Sequence, residues 1–199
     1  MLHPDTELRF ISDAIGYGVV ATRPIPKGTI TWAMDEFDQR FSPDAVERMS
    51  PTYKSIVDKY TFRDNQGDYV LCWDHARFIN HSFRANCITT AYDFELAVRD
   101  IRVGEELTDD YGFLNIDEPF DCQPERGTRR TRVKPDDLLR SHKKWDRLLA
   151  EAFRSFADVD QPLLAMLPED NRRKAFGIAG GTEQMDSILT CYYPRQLAR

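Results

Sequence analysis

The chain has 199 residues, of which 41% are hydrophobic and 30% are charged. This length fits one domain, or one domain with an appendage, and excludes a second large catalytic domain. The composition is that of a folded globular protein and not of a disordered chain. Lys and Arg number 27 against 33 Asp and Glu, and the net charge of −6 argues against a basic surface that coats nucleic acid.

The first 25 residues lack the basic start, long apolar run and cleavage site of a secretory signal. No stretch approaches the ~18 apolar residues that span a bilayer. We therefore expect a cytoplasmic protein with no membrane partner. The cysteines form no CxxC pair, so we expect free thiols, no zinc knuckle and no bound metal. They are Cys72, Cys87, Cys122 and Cys191.

Short β-branched and aromatic runs, separated by Gly, Pro, Asn and Asp, fill residues 8–110 and predict a mostly β region. The predicted strands cover 8–11, 19–22, 29–34, 69–73, 87–92 and 94–99. One helix is predicted after Ser42, because Ser is a good N-cap and Pro43 suits the first helical position. A second helix is predicted over 54–59.

The second part of the chain differs in pattern and in charge. Residues 1–120 hold 12 basic and 21 acidic side chains, a net charge of −9, whereas residues 121–199 hold 15 and 12, a net charge of +3. Apolar residues recur at spacings of three and four and predict one amphipathic helix whose apolar face packs on the core. They are Leu138, Leu139, His142, Trp145, Leu148, Leu149, Ala152, Phe153 and Phe156. Shorter helices are predicted over 168–176 and 182–191, separated by Gly180-Gly181.

A basic run joins the two parts, from Arg126 to Lys134. We interpret it as a solvated linker, and contact with phosphate or with an acidic partner surface is the alternative. The predicted organisation is a domain over 1–115, a basic connector over 116–134 and a helical C-terminal cap over 135–199.

Three short motifs carry the candidate chemistry, and each is weak alone. Gly16-Tyr17-Gly18 lets the backbone approach a ligand, but a tight turn explains it equally well, and the third glycine and helix of a dinucleotide-binding fold are absent. The segment 77–82 reads RFINHS and places an apolar strand end before polar side chains that satisfy a turn or bind a polar ligand. The segment 104–111 reads GEELTDDY, where the adjacent Asp109 and Asp110 point to opposite faces of a strand and suit a shared metal poorly.

The order and spacing of these three motifs resemble the SET-domain protein lysine methyltransferases. That resemblance covers about residues 7–113 and implies a β-clip fold, α+β overall, in which the 77–82 segment and the strand leading to Tyr111 cross in a knot-like arrangement. It implies S-adenosylmethionine as cofactor, a lysine substrate that enters a narrow channel from the opposite side, and Tyr111 as the catalytic residue. The residues implied to bind the cofactor are Gly16, Tyr17, Gly18, Arg77, Phe78, Asn80, His81 and Tyr111.

The chain departs from the family pattern in ways that matter for the substrate. Asp109 stands two residues before the tyrosine, where many members carry a Phe or Tyr that lines the lysine channel. The residues expected to line this channel are Tyr69, Tyr92, Asp109 and Phe113. Phe83 and Ala85 replace the Cys and Pro that the family often has, and the cysteine-rich zinc segment that follows many members is missing, so we expect no zinc.

We therefore expect an enzyme that transfers a methyl group to lysine in a protein, and the charge of residues 1–120 favours a basic protein substrate. The alternative is an inactive SET-like module that binds other proteins. A third possibility is methyl transfer to an amine that is not part of a protein.

Overall fold

The computed structural model describes residues 1–194, which form twelve strands and four α-helices. The strands are β1 (Thr6–Ser12), β2 (Gly16–Ala21), β3 (Ile30–Ala33), β4 (Gln39–Phe41), β5 (Thr61–Arg63), β6 (Tyr69–Leu71), β7 (Asn80–His81), β8 (Cys87–Thr89), β9 (Phe94–Ala97), β10 (Thr108–Asp109), β11 (Phe120–Asp121) and β12 (Arg132–Val133). The helices are α1 (Pro43–Glu47), α2 (Pro51–Tyr60), α3 (Asp137–Phe153) and α4 (Glu169–Ala179).

These short strands form several small sheets instead of one continuous sheet. β1 and β2 form an antiparallel hairpin, and two three-stranded antiparallel sheets have the orders β3-β9-β8 and β4-β6-β5. β11 pairs antiparallel with β12, whereas β7 pairs parallel with β10. Helix accounts for 31% of the chain and strand for 23%, so the architecture is α+β, and the predicted mostly β character belongs to the N-terminal part. The knot-like threading stays a prediction.

Each of the six predicted strands overlaps an observed strand. The predicted start of α1 is also confirmed, because Ser42 Oγ accepts a hydrogen bond from Ala45 N at 3.2 Å and Pro43 is the first helical residue. The second predicted helix extends beyond 54–59 to the full length of α2.

The helix predicted over 182–191 is wrong. Only a short 3-10 turn, Ile188–Cys191, forms there. Asp146 on α3 accepts hydrogen bonds from Ser187 Oγ at 2.6 Å and from Ile188 N at 2.8 Å, and these contacts between distant parts of the chain fix the segment in a tight turn. Residues 195–199 of the predicted C-terminal cap lie outside the described residues.

The main hydrophobic core lies where the β3-β9-β8 sheet meets α3. Most of the predicted apolar face of α3 is buried there, with Trp145 and Phe153 almost fully enclosed, but Leu139 is exposed. Phe156 follows the helix in a separate 3-10 turn. Phe94 from β9 contacts Phe153 and Phe156 with ring centroids 6.2 and 6.3 Å apart. The strands and the C-terminal helices therefore share one core.

A smaller apolar cluster supports β2 from the other side. Val19 and Ala21 pack with Ile25, Ile101 and Leu107, and Leu107 N donates to Val19 O at 2.8 Å. The segment before β10 is thereby held against β2. In the part of the chain that the structure describes, no helix is both long enough and apolar enough to cross a membrane.

Candidate active site

The parallel pairing of β7 and β10 brings two of the sequence motifs together. Asn80 lies opposite Thr108, and His81 lies opposite Asp109. Beyond the strand pair, Ser82 N donates to Asp109 O at 2.8 Å. Polar side chains that are distant in sequence therefore meet at the ends of two short strands.

Tyr111 is fixed at this junction through both its backbone and its hydroxyl. Its amide donates to His81 Nδ1 at 3.1 Å, and its hydroxyl donates to the carbonyl of Ile79 at 2.7 Å. Burial raises the pKa of the Tyr111 hydroxyl above its usual value, and the nearby Asp109 and Glu106 raise it further. The hydroxyl therefore stays protonated at neutral pH and acts as a hydrogen-bond donor with a fixed position.

The glycine motif meets Asn80, the residue after Ile79. The Asn80 amide nitrogen donates to Tyr17 O at 3.0 Å and to Glu106 Oε1 at 2.7 Å. Gly18 is buried beneath these groups, whereas the Tyr17 side chain is 52% exposed. Gly16 has a φ of +83°, a conformation that favours glycine. The predicted residues Gly16, Tyr17, Gly18 and Asn80 therefore form one contiguous cluster.

His81 carries a buried donor at the same strand junction. Burial is the main cause that lowers the pKa of its imidazole, so the ring is neutral at neutral pH. Because Nδ1 accepts from Tyr111 N, the hydrogen of the neutral ring is on Nε2. Nε2 is buried and finds no hydrogen-bond partner among the described residues. The site therefore has one unsatisfied donor, which an acceptor atom of a bound molecule would satisfy.

Tyr111 also lines a cavity of about 680 Å³. Its walls come from the end of α2, from β5 and β6, and from the loop after residue 113. Trp32, Glu95 and Asp109 are among its buried lining residues. The lining residues are Trp32, Asp58, Lys59, Tyr60, Thr61, Phe62, Arg63, Tyr69, Cys72, Ala76, Arg77, Ile79, Glu95, Asp109, Tyr111, Leu114, Asn115, Ile116, Asp117, Glu118, Pro119 and Phe120.

Two of the four predicted channel residues line this cavity. They are Asp109 and Tyr69. The Arg63 guanidinium lies over the Tyr69 ring, 4.2 Å from the ring centroid, and it donates a hydrogen bond to the Tyr69 hydroxyl. Tyr92 and Phe113 do not line it. The Tyr92 hydroxyl donates to Asp186 Oδ2 at 3.1 Å, and Phe113 is buried in the main core.

Two further predicted cofactor residues lie in the 3-10 turn His75–Phe78 that precedes β7. Arg77 lines the cavity, and its Nη1 donates to the carbonyl of Trp73 at 2.9 Å. Phe78 packs edge-on against Tyr60, with ring centroids 5.5 Å apart. Phe78 also packs against the apolar cluster that contains Val19 and Ala21 of β2.

Two residues of the site were not predicted from the sequence. Glu95 is one of them. It is a lone carboxylate inside the otherwise apolar strand β9, and this pattern indicates a site because buried charges are rare without a partner. Phe120 is another, with its ring centroid 6.1 Å from that of His81 and 6.3 Å from that of Tyr111. No local sequence pattern marks Phe120.

The basic connector is packed against the site, and the solvated-linker interpretation is wrong for Arg130. Arg130 forms ion pairs with the buried Asp110 and with Asp137 at the start of α3, the latter at 2.7 Å. Its guanidinium also lies over the Phe83 ring, 4.4 Å from the centroid. Glu125 accepts from Ser82 Oγ at 2.9 Å. The connector therefore stabilises the segment that follows β7.

Comparison with known proteins gives one match. The family model of the SET domain matches residues 16–112, which begin at Gly16 and end one residue after Tyr111. A search of curated proteins finds no match. The matched range contains the glycine motif, both strands of the parallel pair and the tyrosine at their junction. The chain is therefore a SET-domain protein.

Proposed function

We propose that this protein transfers a methyl group from S-adenosylmethionine to the side-chain amine of lysine in a protein substrate. SET-domain proteins are generally protein lysine methyltransferases that use this cofactor. The observation that carries the proposal is the position of Tyr111. It lines the large cavity, and its hydroxyl is bonded to the carbonyl of Ile79, the residue before Asn80 of the glycine cluster.

The glycine cluster fits the proposed cofactor. The main-chain groups of 16–18 would hold its amino-acid part, and Asn80 and His81 would lie near its amino-acid and adenine parts. The orphaned His81 Nε2–H is a donor suited to a ring nitrogen, and the Glu106 carboxylate suits a cationic ligand. When bound, the cofactor supplies an electrophilic methyl group carried on a sulfonium.

The cavity and Tyr111 prepare the amine. Free lysine has a pKa of ~10.4, and removal from water favours the neutral amine that can attack. The aromatic side chains of Trp32, Tyr60 and Phe62 line the cavity and would shield the bound amine from water. The Tyr111 hydroxyl and the Ile79 carbonyl lie at the junction with the glycine cluster and would orient the amine for attack.

The charge around the cavity supports a basic protein substrate. Acidic and basic side chains both line it, with more acids than bases. The acids are Asp58, Glu95, Asp109, Asp117 and Glu118, and the bases are Lys59, Arg63 and Arg77. Together with the net charge of −9 over residues 1–120, this distribution attracts a cationic segment.

The test compares label transfer by matched tyrosine variants. The wild type, Tyr111→Phe and Tyr53→Phe are incubated with methyl-labelled S-adenosylmethionine and a mixture of core histones and ribosomal proteins. Tyr53 is exposed on α2 and does not line the cavity, so its variant controls for the loss of a hydroxyl. We expect the wild type and Tyr53→Phe to transfer label equally, and Tyr111→Phe to lose roughly 100-fold or more of the rate.

Two other outcomes would contradict the proposal. Cofactor binding by calorimetry without transfer to any protein would favour the protein-binding module. Transfer to free small amines but to no protein would favour an amine substrate of another kind.

A further inference from the structure

Two carboxyl groups lie inside the cavity with no cation beside them. Glu95 on β9 is 6% exposed and Asp109 on β10 is 5% exposed, and both line the cavity with Tyr111. Neither forms an ion pair with Lys or Arg in residues 1–194. Glu95 Oε2 and Asp109 Oδ1 are buried and have no donor there. Two buried acceptors without a donor are costly and need an explanation.

A proton held between the two groups accounts for part of this arrangement. The carboxyls lie close enough for one to donate to the other when it is protonated. Burial raises the pKa of Glu95 to about 7. Burial, together with the neighbouring Glu95 and Asp110, raises the pKa of Asp109 well above its usual value. Above neutral pH the pair therefore carries one negative charge and one proton.

We propose that Glu95 and Asp109 act together as the proton acceptor for the substrate amine. This inference rests on the proposed function, and it assigns the pair a role at the amine that Tyr111 cannot fill. The Tyr111 hydroxyl stays protonated and donates to Ile79, so it has no capacity to take up a proton at neutral pH.

The proton transfer balances as follows. The substrate enters as an ammonium, and one of its N–H bonds breaks while an O–H bond forms on the ionised carboxylate of the pair. The electron pair of the broken bond stays on nitrogen, which becomes the nucleophile toward the methyl group. Both carboxyls are then protonated, and the extra proton returns to water after the methylated ammonium leaves. No oxidant or reductant takes part.

The groups around the pair do not compete with it as proton acceptors. Burial raises the pKa of both neighbouring thiols, Cys72 and Cys87, so they stay protonated. Asp110 is already paired with Arg130. The N-terminal ammonium of Met1 lowers the pKa of Glu95, but it pairs directly with Asp35 at 2.8 Å. The Glu95–Asp109 pair can therefore gain or lose a proton near neutral pH, and it lines the cavity.

The first experiment needs no cofactor and uses n-butylamine as a probe for the lysine side chain. Its binding is followed by NMR at pH 8 in protein with ¹³C-labelled Asp and Glu carboxyls, with n-butanol as the uncharged probe. We expect the wild type to prefer the ammonium by at least about tenfold, with a shift of the paired carboxyl signals toward the protonated form. Asp109→Asn and Glu95→Gln should lose this preference, while Asp44→Asn, an exposed change on α1, should keep it.

The second experiment measures the pH profile of label transfer. Wild-type transfer should rise to a plateau above about pH 7 as the pair ionises. Glu95→Gln removes the carboxylate that ionises near pH 7, so it should be slower by roughly 100-fold at pH 7.5, and its rate should rise about tenfold per pH unit up to pH 10, as solvent deprotonates more of the amine. Glu95→Asp should restore part of the rate, and thermal melting confirms that each variant folds.

The outcomes separate this inference from the proposed function. A wild-type pH profile in Glu95→Gln, or equal binding of both probes by the wild type, would overturn the proton-acceptor role. If the wild type transfers no label, the proposed function fails, and probe binding with the carboxyl signals alone decides whether the pair takes up protons from an amine.

Discussion

Gly18 occupies a position where no side chain fits. A Cβ atom there would overlap Glu106 Oε1 and would lie 2.8 Å from the Asn80 amide nitrogen and 2.9 Å from Ile11 Cγ1. These contacts are too short, and Gly18 is buried in the β1–β2 hairpin, so the neighbours must move. At this residue the packing of the protein itself requires glycine.

We therefore predict that Gly18→Ala weakens cofactor binding by tenfold or more, the equivalent of about 1.4 kcal/mol, because the Asn80–Glu106 cluster is displaced. Calorimetric titration with S-adenosylmethionine measures the change. Gly180→Ala is the control, since its φ of −79° accommodates any residue and its Cβ would meet only the Phe176 carbonyl at 3.3 Å. Equal affinities of both variants would contradict the prediction.

The Glu95–Asp109 pair also predicts how stability depends on pH. At pH values below the ordinary carboxyl pKa of ~4.3, the folded and unfolded states both hold the protons. As the pH rises toward the Glu95 pKa of about 7, the unfolded chain releases them first, so the free energy of unfolding falls. We expect this fall to be on the order of 3 kcal/mol.

Urea unfolding at pH 5, 6, 7 and 8 measures that slope. Glu95→Gln combined with Asp109→Asn should flatten it relative to the wild type, because two amides cannot titrate. Parallel slopes in the two proteins would show that these carboxyls are not protonated in the folded state.

Among the secondary-structure elements, the connector is joined to the site by Arg130. Its guanidinium is 26% exposed and bridges Asp110, which is 1% exposed, to Asp137 on α3. Asp110 also accepts from Gly112 N at 3.1 Å and so caps the 3-10 turn that begins with Tyr111. One side chain thus connects α3, the connector and the turn that bears the tyrosine.

Arg130→Met should therefore cost about 3 kcal/mol, because it leaves a buried carboxylate without its cation. For a chain of this size the melting temperature should fall by roughly 6–12 °C. Arg132→Met removes an ion pair whose members are 46% and 74% exposed, and it should change the melting temperature by less than about 3 °C. Scanning calorimetry of both variants tests the contrast, and similar losses would contradict it.

The sequence predicted the elements that depend on local patterns. The apolar spacing of three and four residues located α3, and the Ser42-Pro43 pair located the start of α1. The helix predicted over 182–191 does not form, because hydrogen bonds to Asp146, far away in the chain, fix this segment as a turn. Local propensity carries no information about such a partner.

The same distinction applies to the site. Tyr111, Asn80 and His81 were placed by family motifs, and the structure brings them together at one strand junction. The prediction that Tyr92 lines the channel rests on its aromatic side chain, but aromatic character alone does not distinguish a cavity wall from a core. Tyr92 lies in the main core, and its hydroxyl is bonded to Asp186. Glu95 was missed because its partner Asp109 is adjacent only in the folded chain.

At the scale of the whole molecule, the turn that bears Tyr111 and the C-terminal helices share one core. Phe113, two residues after Tyr111, contacts Trp145 on α3 edge-on, with ring centroids 5.4 Å apart. Both side chains are almost fully buried. The C-terminal region therefore supports the turn that holds the tyrosine, and the division into a catalytic domain and a separate cap stays a prediction from sequence.

Trp145→Ala tests this support, and we expect it to cost about 3–5 kcal/mol through loss of buried contact and the cavity left behind. Label transfer should fall as well, measured at a temperature where the variant is still folded by circular dichroism, because Phe113 loses the surface that positions the Tyr111 turn. Leu139→Ala on the same helix is the control, since Leu139 is 45% exposed and outside the core. A Trp145→Ala protein that is destabilised yet transfers methyl groups at the wild-type rate would show that α3 stabilises the fold without positioning the tyrosine.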